Sequence, residues 1–139
     1  MKQYRQRVSG PLLDRSDVQV DVPAMSETDK DKLLAQGRRS GPDSQSIREQ
    51  VVKCRALQLA CAGRCNARLE QREVRGLSSV TARDRKLLTE AMNRLRFSAR
   101  AYFRILKIAR TIVDLASQEQ FATAHLLEAI NYRRFHAVL

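Results

Sequence analysis

From residue 44 onward, apolar positions recur at helical spacing. Ile47, Val51, Cys54 and Cys61, with the polar Gln58 among them, fall three or four apart and share one helix face. Ser46-Ile47-Arg48-Glu49 has the form of a capping box, with a hydroxyl for the third amide and a carboxylate for the cap, and predicts a start there. Gly63 weakens the pattern, Asn66–Arg75 reads as a short separate helix, and Gly76 as its stop. A second box, Thr81-Ala82-Arg83-Asp84, opens a helix whose face is Leu87, Leu88, Ala91, Met92 and Leu95. Phe97 staples the next turn. Ser98 then caps a helix with Tyr102, Ile105, Leu106, Ala109, Ile112 and Val113 inward, and Thr123 caps a last one carrying Leu126, Leu127 and Ile130. Four main helices joined by short loops predict a mainly α fold, a small helical bundle.

The first 43 residues are patterned differently. Asp17-Val18-Gln19-Val20-Asp21-Val22-Pro23 alternates strictly, a strand signature closed by a proline. A lone strand needs a sheet, and no second convincing strand follows, so its partners are expected outside these residues. Residues 24–43 hold Ser, Thr, Asp, Lys, two Gly and a Pro, and read as a flexible linker with a short, weakly amphipathic helix around Glu27–Gln36. The expected organisation is 1–23, 24–43 and a helical domain at 44–139, with residues 1–43 largely disordered.

Hydrophobic residues make up 43% of the chain, enough for a core, and the 5% aromatic content without Trp makes that core aliphatic. No apolar run approaches the ~20 residues that span a bilayer, and the polar, basic start shows no signal peptide. A cytoplasmic protein without a membrane partner is expected. The net charge of +11 makes nucleic acid the default partner; a piece whose acidic complement lies elsewhere would be as basic. Lys53, Arg55, Arg64, Arg68, Arg72 and Arg75 could track a phosphate backbone or form a solvated face. No aromatics are interleaved for base stacking. Three cysteines argue against a disulfide framework. Cys54, Cys61 and Cys65 read as small core residues rather than ligands, and no metal is expected.

No G-x-x-x-x-G-K-[ST] loop occurs; the glycines are Gly10, Gly37, Gly41, Gly63 and Gly76. Without that loop no nest of amides cradles a triphosphate. His125 and His136 complete no catalytic arrangement, so catalysis by this chain alone is not expected. Two arginine motifs carry the chemistry instead. The first, Tyr4–Asp17, contains Leu12-Leu13-Asp14-Arg15 just before the alternating segment. An arginine held rigidly at a domain edge suits a finger that reaches a neighbour's γ-phosphate; the alternative is a helix-ending arginine paired with Asp14 or Asp17. The second, Ser98-Ala99-Arg100-Ala101-Tyr102-Phe103-Arg104, puts Arg100 in the first turn of a helix. A cation there opposes the helix dipole and suits an anionic ligand. Arg104 and Lys107 share its face, which otherwise reads as an ordinary basic surface. Arg110 is spaced to pair with Asp114 at i+4.

These motifs resemble the C-terminal part of the magnesium-chelatase-like AAA+ ATPases, most of all the competence-associated ComM-type subgroup. The resemblance spans nearly the whole chain. It is densest in Tyr4–Pro23 and in Ser98–Arg133, which contains His125-Leu126 and Tyr132-Arg133. It implies that residues from about 44 form the helical AAA+ lid and that residues 1–23 end the preceding nucleotidase domain, which explains the lone strand. It also implies that Arg15 is the arginine finger acting in trans, that Arg100 is the sensor-2 arginine and that Arg104 is a secondary contact. ATP and Mg would belong to the parent protein, with none bound by this chain alone. The implied partners are the upstream nucleotidase domain, neighbouring subunits of a hexameric ring and, as a candidate, DNA. The activity implied is ATP-driven branch migration of DNA in natural competence. A metal-chelatase motor subunit and a stand-alone basic nucleic-acid-binding module are the alternatives.

Overall fold

The computed structural model describes residues 15–36, 41–77 and 80–133. The described residues hold six α-helices, one 3-10 turn and no strand: α1 (Glu27–Gln36), α2 (Ser44–Ala62), the turn Asn66–Arg68, α3 (Gln71–Leu77), α4 (Ala82–Arg94), α5 (Ala99–Leu115) and α6 (Thr123–Asn131). The expectation of a mainly α bundle holds. The bundle is built on α5, whose Ile105, Leu106 and Ala109 meet Leu126, Ala129 and Ile130 of α6. Leu88 of α4, and Leu69 and Val74 around the start of α3, close the same cluster. Burying each large aliphatic side chain contributes about 1.5–3 kcal/mol, so the aliphatic composition suffices. Arg75 lies over the Phe103 ring at 5.5 Å and ties α3 to α5.

The helix ends follow local chemistry, not always at the positions the sequence patterns suggest. α2 begins three residues early: Asp43 is the cap, its carboxylate accepting the Ser46 N–H at 2.8 Å, while the Ser46 hydroxyl donates back to the Asp43 carbonyl at 2.9 Å. An anionic cap just after Pro42 wins over a hydroxyl because it bonds the amide more strongly and faces the positive helix end. Gly63 is the true stop of α2, in the left-handed region at φ 65° with its N–H on the Leu59 carbonyl at 2.9 Å. Gly76 is no stop, because α3 runs through it to Leu77. The Thr81 cap forms as expected, with Thr81 Oγ1 accepting the Asp84 N–H at 3.1 Å, while the Asp84 carboxylate reaches back to the Thr81 hydroxyl, accepting it at Oδ2 at 2.7 Å. Ala122, not Thr123, occupies the cap of α6. This leaves the Thr123 hydroxyl to donate to Asp84 Oδ1 at 2.6 Å, joining the starts of α4 and α6.

Two other expectations change. Residues 17–23 form no strand; the Gln19 N–H donates to the Tyr132 carbonyl at 2.8 Å, and Val18, Val20 and Val22 are exposed. Alternation alone builds no ladder without a second strand. The described part of the N-terminal segment instead touches the bundle through residues 16–19; for residues 1–14 and 37–40 the expectation of disorder falls outside the described residues. On α2, only Cys54 and Gln58 are buried, and Ile47 and Val51 are about half exposed. The first half of α2 therefore lacks a covering element among the described residues.

Candidate functional site

Each arginine of interest has a distinct environment. Arg100 is exposed in the first turn of α5 and makes no ion pair or hydrogen bond among the described residues. Arg104, one turn on, is 30% exposed and directs Nη1 at Asp17 Oδ1, 3.1 Å away. Lys107 donates to the Ala67 carbonyl at 3.1 Å. The basic face of α5 thus holds two cations tied within the chain and one facing solvent. Arg110 pairs with Asp114 at 2.7 Å, as the spacing predicts.

Arg15 is exposed, and the part of its motif before it, Tyr4–Asp14, lies outside the described residues. Asp17 is not its partner, because that carboxylate faces Arg104 at 3.1 Å and Arg133 at 3.9 Å. Through Asp17 the two arginine motifs, far apart in sequence, meet. Periodicity overlooked Arg133, although a signal was present. Leu126, Ala129, Ile130 and Arg133 fall on one helical stripe, and an arginine on an apolar stripe must be buried with acceptors. Arg133 is 1% exposed and its Nη1 donates to the Ser16 carbonyl at 3.1 Å. Beside this junction lies an open groove of about 710 Å³, floored by Ile108 and Ile112 and edged by Val18 and Val20.

A second polar cluster stiffens the far end of α5. Asn66 Nδ2 donates to Asp114 Oδ2 at 2.6 Å and to the Thr111 hydroxyl at 3.2 Å, and Gln58 Oε1 accepts the Asn66 N–H at 3.1 Å. Cys54 sits beside it, its thiol pushed up by burial and then by the Asp114 charge. Cys61 is exposed and Cys65 half-buried. No three metal-ligating side chains converge among the described residues, and no described helix is long and apolar enough to cross a membrane.

With this helical architecture and its arginine placements in hand, similarity to known proteins decides the family. Residues 41–133 match the family described as magnesium chelatase, subunit ChlI C-terminal. The chain belongs to that family. The chain is 41% identical over 130 residues to competence protein ComM of Haemophilus influenzae, an alignment covering 94% of the chain and 25% of the relative. It is 33% identical over 136 residues to the protein YifB of Salmonella typhimurium, covering 98% of the chain and 26% of the relative. The YifB protein of Escherichia coli is 31% identical over the same length, with the same coverage of both chains. The chain therefore spans about a quarter of the length of the curated relatives it matches. Arg100 and Arg104 lie inside the matched span and Arg15 precedes it.

Proposed function

We propose that the chain is the lid of an AAA+ ATPase and couples ATP binding and hydrolysis to remodelling of DNA. The observation that carries this reading is Arg100, an exposed cation with no partner among the described residues, at the positive end of a well-packed helix. Such a charge is unfavourable by itself and suits an incoming phosphate oxyanion. Arg100 fits a terminal phosphate; the chain has no glycine loop to hold the rest of a triphosphate, so an upstream nucleotidase domain would hold ATP and Mg. ATP supplies a phosphoanhydride whose hydrolysis drives motion. Arg100 would contact it in cis as sensor 2, Arg104 would be a secondary contact, and Arg15 would reach a neighbour's ATP as the trans finger. Rotation of the lid against the nucleotidase domain in a hexameric ring would then move the substrate.

DNA is favoured by the net charge of +11 and by the competence designation of the ComM relative. Natural competence in the cytoplasm is the corresponding setting. The family designation supports a second reading, a chelatase motor subunit. A stand-alone nucleic-acid module draws less support, because no aromatics are interleaved with the basic run for base stacking. The test is ATP hydrolysis by the parent protein with and without DNA. Arg100→Ala is expected to lower the rate while circular dichroism stays unchanged. An unaltered rate would remove the sensor role. DNA stimulation separates the helicase from a chelatase motor, and tight, salt-sensitive DNA binding by this chain alone would favour the module.

A further inference from the structure

We infer that Asp17 is a positioning residue for Arg15, through which the attitude of α5 sets the finger; this rests on the reading of Arg15 as the trans finger. A finger works only if its backbone is fixed, because arginine has a long, rotamer-rich side chain. Just after Arg15 the chain is fixed repeatedly. The Ser16 carbonyl accepts from Arg133 at 3.1 Å. The Asp17 carboxylate meets Arg104 at 3.1 Å and Arg133 at 3.9 Å. The Gln19 N–H donates to the Tyr132 carbonyl at 2.8 Å. Within the tether, the Ser16 hydroxyl donates to the Val18 carbonyl at 3.1 Å. Arg133 is the buried post of this clamp, 1% exposed, whereas the Asp17 side chain it faces is 59% exposed.

The origin of Arg104 gives the clamp its function. It stands on α5 one turn after Arg100, so a movement of α5 when Arg100 meets phosphate displaces Arg104, and Asp17 with it. The path Arg100–Arg104–Asp17–Arg15 then joins the subunit's own nucleotide to the finger aimed at its neighbour's. Such a coupling is a contiguous chain of packed and ion-paired groups.

The test has two arms. In this chain alone, hydrogen exchange at the Gln19 amide is expected to quicken in Asp17→Asn and to recover in part in Asp17→Glu. In the parent protein, Asp17→Asn is expected to lower kcat roughly tenfold with KM unchanged, since misplacing a positioned group by about 1 Å costs up to about a hundredfold. Arg15→Ala with Asp17→Asn should be no slower than Arg15→Ala alone, as expected if Asp17 acts only through the finger. A normal kcat in Asp17→Asn, beside a reduced one in Arg15→Ala, would overturn the positioning role and leave the finger standing. Additive losses would make Asp17 merely structural and overturn the role as well. A normal rate in Arg15→Ala would remove the finger and its positioning together, whatever the exchange at Gln19.

Discussion

The two ends of α5 carry the same electrostatic problem and treat it differently. Arg100 is a cation near the positive end, and Asp114 an anion near the negative end; each opposes the helix dipole. At Asp114 the mismatch is resolved inside the fold. Arg110 at 2.7 Å and Asn66 at 2.6 Å surround the carboxylate, which is 3% exposed. At Arg100 it is left open to solvent. A mismatched charge with its partners built in belongs to the architecture, and one without them points to a partner that arrives. A base-rich surface alone would not distinguish the two.

The largest effect should come from breaking the resolved end. Asp114→Ala leaves Asn66 and Arg110 without their acceptor and is expected to destabilise the domain by about 3–5 kcal/mol, read from urea denaturation of this chain. A loss below about 1 kcal/mol would mean that the cluster is solvated and that the contrast between the ends is false. Asp84 comes next. Asp84→Asn keeps the shape but weakens the bonds from Thr123 and Thr81, at about 1–3 kcal/mol. The Thr123 hydrogen bond, ahead of those from Thr81, holds the Asp84 carboxyl below its usual value. The folded value is therefore lower than the unfolded one, near 3.9. The stabilisation is fully present above that unfolded value and is lost as pH falls through the lower folded one. The melting temperatures of the wild-type chain and Asp84→Asn should therefore converge below about pH 4; a constant gap down to pH 2 would rule out the carboxylate as the source. The smallest effect, of opposite sign, is expected at the open end. Arg100→Ala should leave stability unchanged or raise it by about 0.3–1 kcal/mol, the cost of a cation at a helix start. A clear loss of stability in thermal melts would show that Arg100 is structural and not waiting for a ligand.

The same contrast marks how far the sequence could be read. The inward face of α5 was legible because one apolar period runs through all 17 residues and nothing local competes with it. Caps were less legible. Asp43 and Ser46, or Ala122 and Thr123, lie within one turn of each other, and small differences in charge and backbone angle choose between them. The alternation at 17–23 was real but described a segment, not a sheet. The Asp17 junction was beyond local patterns altogether: Arg133 reaches Ser16 across 117 positions. Only the placement of Arg133 on an apolar stripe hinted that a buried cation there needed acceptors from elsewhere. At the site, Arg100 is exposed, which fits a ligand contact and an ordinary basic surface alike, whereas Arg104 is engaged by Asp17.

In α2, Ser44–Lys53 is exposed throughout, while Cys54 and Gln58 are buried at the point where the helix meets the bundle. At 1.5 Å per residue, the free half projects about 15 Å from that anchor. A rotation of about 20° at the anchor would sweep the tip through roughly 5 Å, one helical turn. The tip at Ser44 stands farthest from the anchor beside Asn66 and Asp114, while Val51, one turn from Cys54, lines a groove with Thr111 and Leu115 of α5.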